Sequence, residues 1–124
     1  MFAKRPYKKE HNISDGNVEC LKVMWVDDSY KLHSAFNRTH LSYSIGDSIK
    51  AFRDCPLNIL DEMYILGDEV VHAYSKEYLN EKLRSYRFAD QRVVVKCIIP
   101  KGIPYWENEE GFATIELVIK EIIK

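Results

Sequence analysis

The apolar and polar positions of this chain alternate mostly with the period of strands. Val18 to Val26 (VECLKVMWV) is a nearly continuous apolar run and predicts a largely buried strand. Asp27-Asp28-Ser29 predicts a turn, and residues 30–37 a returning strand that closes a hairpin. Leu41, Tyr43 and Ile45 alternate with His40, Ser42 and Ser44, as in a half-buried strand. Gly46-Asp47 permits a tight turn, after which Ile49 to Phe52 continues. Residues 53–62, with Pro56, read as a loop holding at most one helical turn. Glu69 to Tyr74 predicts a strand and Ser75 a helix N-cap, because its hydroxyl can accept a bond from an orphan backbone N–H. The helix is expected over about 76–88, with Tyr78, Leu79, Leu83 and Tyr86 on one face and Lys76, Glu77, Glu81 and Lys82 on the other. Arg92 to Ile99 is β-branched and continuous, the pattern of a central strand covered on both faces. Pro100 ends it, Lys101-Gly102 turns the chain, and Ile103 to Trp106 is extended before an acidic turn at 107–111. Phe112 to Ile123 carries both periods: Ile115, Leu117 and Ile119 alternate, while Phe112, Ile115, Ile119 and Ile122 fit a helix.

These elements predict an α+β fold: a small, mainly antiparallel β-sheet or partly open barrel packed with one main helix, 76–88. A length of 124 residues fits one domain. Its expected extent is 17–124, behind a basic flexible tail over 1–16 that carries Lys4, Arg5, Lys8 and Lys9 and ends in the turn residues Ser14-Asp15-Gly16. No apolar run approaches the roughly 20 residues of a transmembrane helix, and no apolar segment follows the basic N-terminus as in a secretory signal. The expectation is a cytoplasmic protein without membrane contact, with homo-oligomerisation open.

Charge and chemistry narrow the function classes. A net charge of −1 argues against general nucleic-acid binding, which draws on a basic excess. Cys20, Cys55 and Cys97 are odd in number and widely spaced, with no C-x-x-C pair, so neither a structural zinc site nor a disulfide framework is expected. Cys97, inside an apolar run, reads as a small core residue. His11, His33, His40 and His72 are scattered, so no metal site is expected, and with no phosphate-binding glycine loop or hydrolase motif no cofactor is expected either. Asp47, Asp61, Glu62, Asp68 and Glu69 read as solvated loop carboxylates rather than acid/base machinery.

The binding candidates are strand-end aromatics and bases. His72 shares a strand face with Tyr74 just before a helix N-terminus, a common place for anions. Tyr105-Trp106 follows a proline and precedes polar residues, so part of the pair is expected at the surface, where it would suit stacking or an interface. With Tyr43 as a further aromatic, and Arg84 or Lys101 for a phosphate, the candidate ligand-binding set is Tyr43, His72, Arg84, Lys101, Tyr105 and Trp106.

Val95-Lys96-Cys97-Ile98-Ile99-Pro100-Lys101-Gly102, then Tyr105, then Phe112-Ala113-Thr114 and the following Ile/Leu/Val run, resembles a pattern in small β-rich domains of bacteriophages and bacteria. That pattern runs strand, I-P-K-G, a tyrosine, a turn, A-S, final strand. Tyr43-Ser44-Ile45-Gly46-Asp47-Ser48-Ile49 resembles their Y-x-x-G hairpin. Val71-His72-Ala73-Tyr74 resembles their G-I-H-x-F or F-H-A strand before a helix, with Val71 in place of isoleucine and no glycine at position 70. The resemblance spans about 41–123 and implies a compact β-rich domain with one packed helix, a strand over 112–121 and a phage origin. The expectation for function is a non-enzymatic accessory protein that binds and sequesters a host factor to counter a host defence pathway, with a nucleotide-like signal as one candidate ligand. The alternatives are a protein–protein inhibitor using a sheet edge or the basic tail, and a degenerate nucleotide-transfer enzyme.

Overall fold

Strands β2 (Val18–Val26) and β6 (Arg92–Ile99) form the centre of the sheet in a computed structural model that describes residues 10–34, 42–51, 71–83 and 92–123. They pair antiparallel without interruption from Val18↔Ile99 to Trp25↔Arg92. Because side chains alternate across a strand, Cys20 and Met24 face the main core together with Val95, Cys97 and Ile99. Leu21, Val23 and Val94 face the other side, under Leu79 of the helix. Covered faces on both sides explain the unbroken apolar runs.

The remaining described strands are β1 (Asn12–Ile13), β3 (Leu32–Ser34), β4 (Ser48–Lys50), β5 (Val71–Tyr74), β7 (Pro104–Glu107), β8 (Gly111–Thr114) and β9 (Glu116–Ile122). All pairings are antiparallel, in the order β1-β7-β8-β5-β2-β6-β9-β4, with β3 beside β2. The end strands β1 and β4 do not pair with each other, so the sheet is unclosed among the described residues. The helix α1 spans Lys76–Leu83, about two turns. Among the described residues the fold is therefore a β-rich antiparallel sheet with one short helix, and the expected continuation over 84–88 lies outside them. Ser75 caps α1 as its position predicts: its Oγ accepts from Tyr78 N at 3.2 Å.

The C-terminal segment is a strand pair, broken at Ile115. Burial decides against the helical period: Leu117 is 0 % exposed while Ile122 is 47 % exposed. Two expectations need correction. Pairing begins before residue 17, since Asn12 and Ile13 pair with Tyr105 and Pro104. Ser14 then fastens this segment, donating from Oγ to Ile99 O at 2.8 Å and from N to Ile103 O at 2.9 Å, and accepting Gly102 N at 2.8 Å. Residues 1–9 lie outside the described residues. Of the strand expected over 40–45, the structure describes 42–45, and among these only Tyr43 bridges, to Leu32. Ile45 is 51 % exposed in a turn, because Gly46 takes φ 95° and the Asp47 carboxylate accepts Ser44 N at 2.8 Å. His40, the loop over 53–62, Cys55, Asp61, Glu62, Asp68, Glu69 and Arg84 lie outside the described residues.

Candidate functional site

The two edges of β2 are treated differently, and that difference makes a cleft. On the side away from β6, β2 meets β5 only at Leu21↔Tyr74 and β3 only from Met24 to Val26. Beside residues 18–20 the described residues place no strand. The space left is a cleft of about 580 Å³ between β2, the first turns of α1 and the β7–β8 ribbon, within the roughly 300–1,000 Å³ of small-ligand pockets.

Each wall follows from local structure. Val18, Glu19, Cys20 and Leu21 line it from β2, and Ser75, Lys76, Glu77 and Asn80 from α1. Tyr105, Glu107 and Phe112 line it from the ribbon, with Lys96, Glu121 and Ile123 below. The rings of Tyr105 and Phe112 meet edge-to-face at 5.9 Å and 68°, a favourable quadrupole arrangement. Burial, and then the charges of Glu107 and Asp15, push the Tyr105 phenol above its ordinary value.

Electrostatically the lining is acidic: Glu19, Glu77, Glu107 and Glu121 stand against Lys76 and Lys96. Lys96 is already engaged, its Nζ 3.3 Å from Glu19 Oε1 and 3.5 Å from Glu121 Oε1. The hydrogen bond and charge of Glu19, helped by Glu121, raise its pKa. Cys20 supplies the one thiol of the lining among the described residues. Burial pushes its pKa far up, with the neighbouring Cys97 adding to the shift, so it is not a thiolate nucleophile. Among the described residues no histidine lines the cleft. Among the described residues the lining thus offers charge and an aromatic surface but no paired nucleophile and base.

Of the sequence candidates among the described residues, only Tyr105 lies in this cleft. Trp106 is 0 % exposed, so the expectation of a surface stacking residue fails for it. In β7, Tyr105 and Trp106 take opposite faces, and Trp106 is packed inward with His11 edge-on at 6.0 Å. His72 and Trp106 occupy one row across three strands, each paired with Ala113 of β8. Tyr43 is half-buried against the main core, and Lys101 is exposed in the turn after β6. Arg84 lies outside the described residues.

Two features escaped the sequence reading. Lys22 is buried, and its Nζ donates to His72 O at 2.8 Å. Burial lowers its pKa, opposed by Cys97 and Cys20. An ammonium here reaches the β5 carbonyl where β2 and β5 are no longer paired. A lone lysine in an apolar run gives no sign of this. The second is a carboxylate–histidine pair on the β2–β3 hairpin. His33 Nε2 lies 2.7 Å from Asp27 Oδ2, and the His33 ring stacks on Trp25 at 4.1 Å. Asp27 Oδ1 also accepts Ser29 N at 2.8 Å and Lys31 N at 3.0 Å. The His33 bond, then that of Lys31 N, holds the carboxyl below the usual range. Every partner is within the hairpin, so the pair orders the turn. The expected turn over 27–29 would set Trp25 against Lys31, whereas the pairing Val26↔Leu32 sets it against His33.

No helix among the described residues is long and apolar enough to cross a membrane, and no group of three potential ligands among them is placed to hold a metal ion. No protein-family model, curated protein or solved structure matches the chain.

Proposed function

We propose that this protein acts by binding rather than by turnover, and that its ligand enters the cleft between β2, α1 and the β7–β8 ribbon. The observation that carries this reading is the lining: four carboxylates and an edge-to-face aromatic pair against two ammonium groups, one of them already paired. Such a surface favours a positively charged group on an apolar body, through charge and cation–π attraction. A phosphate group suits it poorly, so the nucleotide-like ligand expected from the sequence gives way to a cationic one. Sequestering a host molecule needs only such occupancy.

The test is a ¹H–¹⁵N titration of the whole chain with tyramine, a phenyl-bearing amine, and separately with adenosine monophosphate. Tyramine is expected to move the amides of Glu19–Leu21, Lys76, Glu77 and Glu107, and the double variant Glu19→Gln/Glu107→Gln to weaken it about tenfold. Movement of these amides by the nucleotide and not by the amine would reverse the ligand class.

A further inference from the structure

Resting on that reading of the cleft, we propose that its occupant is an extended segment of a partner polypeptide carrying lysine or arginine at alternate positions, added as a strand against the open edge of β2. A strand seen from its face lines a cavity with every second residue, as β7 does with Tyr105 and Glu107. β2 instead lines the cleft with four consecutive residues, Val18 to Leu21. Consecutive lining means that the cavity reaches both faces of β2 and so its edge: Glu19 and Leu21 share a face with Lys96 and Glu121, and Val18 and Cys20 take the other.

That edge is the part of β2 without a neighbouring strand among the described residues, since its pairing there begins at Leu21. In a strand, the N–H and C=O of one residue point to the same side, and those of the next residue to the other side. At least one of residues 18–20 therefore directs both groups away from β6 and into the cleft. An unpaired strand edge is a template for another chain.

Side-chain chemistry selects the occupant. An extended segment presents its side chains alternately to two sides. One set would lie on Tyr105, Phe112 and Glu107, which share a face of the ribbon, while the other meets Glu19, Glu77 and Glu121. Basic residues in the second set complement those carboxylates, and apolar residues in the first set cover the aromatic rings.

The probe is a capped pentapeptide of alternating lysine and valine, titrated into the full chain by calorimetry and ¹H–¹⁵N correlation. Two controls accompany it: the same peptide methylated on its backbone nitrogens, and an alternating glutamate/valine peptide. The expected result is binding of the lysine peptide, with exchange protection appearing in the 18–20 segment. At least tenfold loss is expected on backbone methylation, no binding for the glutamate peptide, and weakening in Glu19→Gln/Glu107→Gln. These glutamates are outside the buried core, and far-UV circular dichroism checks that the variant is folded. Equal binding of the methylated and unmethylated lysine peptides overturns strand addition while leaving a cationic ligand for the cleft. Failure of both peptides with tyramine still bound does the same. Failure of peptides and tyramine together overturns both readings.

Discussion

β2 has two edges built in opposite ways. Against β6 it is paired at every residue from Val18 to Trp25, with apolar side chains packed on both faces. Its other edge is pieced together from one pair with β5, three with β3 and the ammonium of Lys22 on the His72 carbonyl. The contrast teaches that a strand's hydrophobic content sets how well its faces are covered but not how its edges are satisfied. A backbone polar group in the interior must find a partner. Where neighbouring strands diverge, a side chain can supply one, as Lys22 does, or the edge can be left facing a cleft.

The comparison can be broken most severely at Gly111, where β8 holds β5 and so sets the interrupted side. A Cβ there would collide with Ala73 O and lie 2.6 Å from Tyr74 Cα and 2.8 Å from Ser75 N, all backbone atoms. Gly111→Ala is expected to cost about 3 kcal/mol, the upper part of the overpacking range, as a lowered urea midpoint. A wild-type midpoint would mean that the two strands can separate without harm. Next is Leu79→Ala. Leu79 is the buried helix residue in the cluster over Leu21, Val23 and Val94, and its truncation should cost about 2–3 kcal/mol. Hydrogen exchange in this variant should rise in α1 well before it rises in β6.

Lys22 sharpens the contrast through pH. Burial lowers its folded pKa from the ordinary 10.5, so between the lowered value and 10.5 the unfolded chain binds more protons than the native one. Stability contributed at this site therefore rises with pH across that window, and the cost of burying the charge is greatest below it. Wild type should gain on Lys22→Met in urea titrations as the pH climbs through the window. A constant difference would show that the amine is solvated. The smallest effect is expected where the segment after β1 is fastened to the end of β6. Ser14→Ala removes the hydroxyl bond to Ile99 O and should cost about 1 kcal/mol, with faster exchange confined to Gly102 and Ile103.

Much of the sheet was readable from local pattern. The apolar runs at 18–26 and 92–99 give the two central strands, and Ser75 marks the helix start. The period-two pattern at 40–45 misled because a glycine at positive φ and the Asp47 carboxylate outweigh it at Ile45. The site was mostly hidden. Tyr105, singled out for its polar surroundings, lines the cleft, but Trp106 was named with it although adjacent strand residues take opposite faces, a signal present in the sequence. The cleft depends on where β5 stops pairing with β2. Register between distant segments is not written in either segment's periodicity.

Cys20 and Cys97 stand directly opposite each other in the central pair, at 1 % and 0 % exposure. Burial pushes the Cys97 thiol up to about 12 and that of Cys20 higher, so both sulfurs stay protonated and inert while β2 and β6 remain joined. The pair is therefore a clock for the parting of the two central strands. At low concentrations of a thiol reagent, the labelling of Cys97 reads how often the centre is open at equilibrium. At saturating reagent it reads how fast the centre opens.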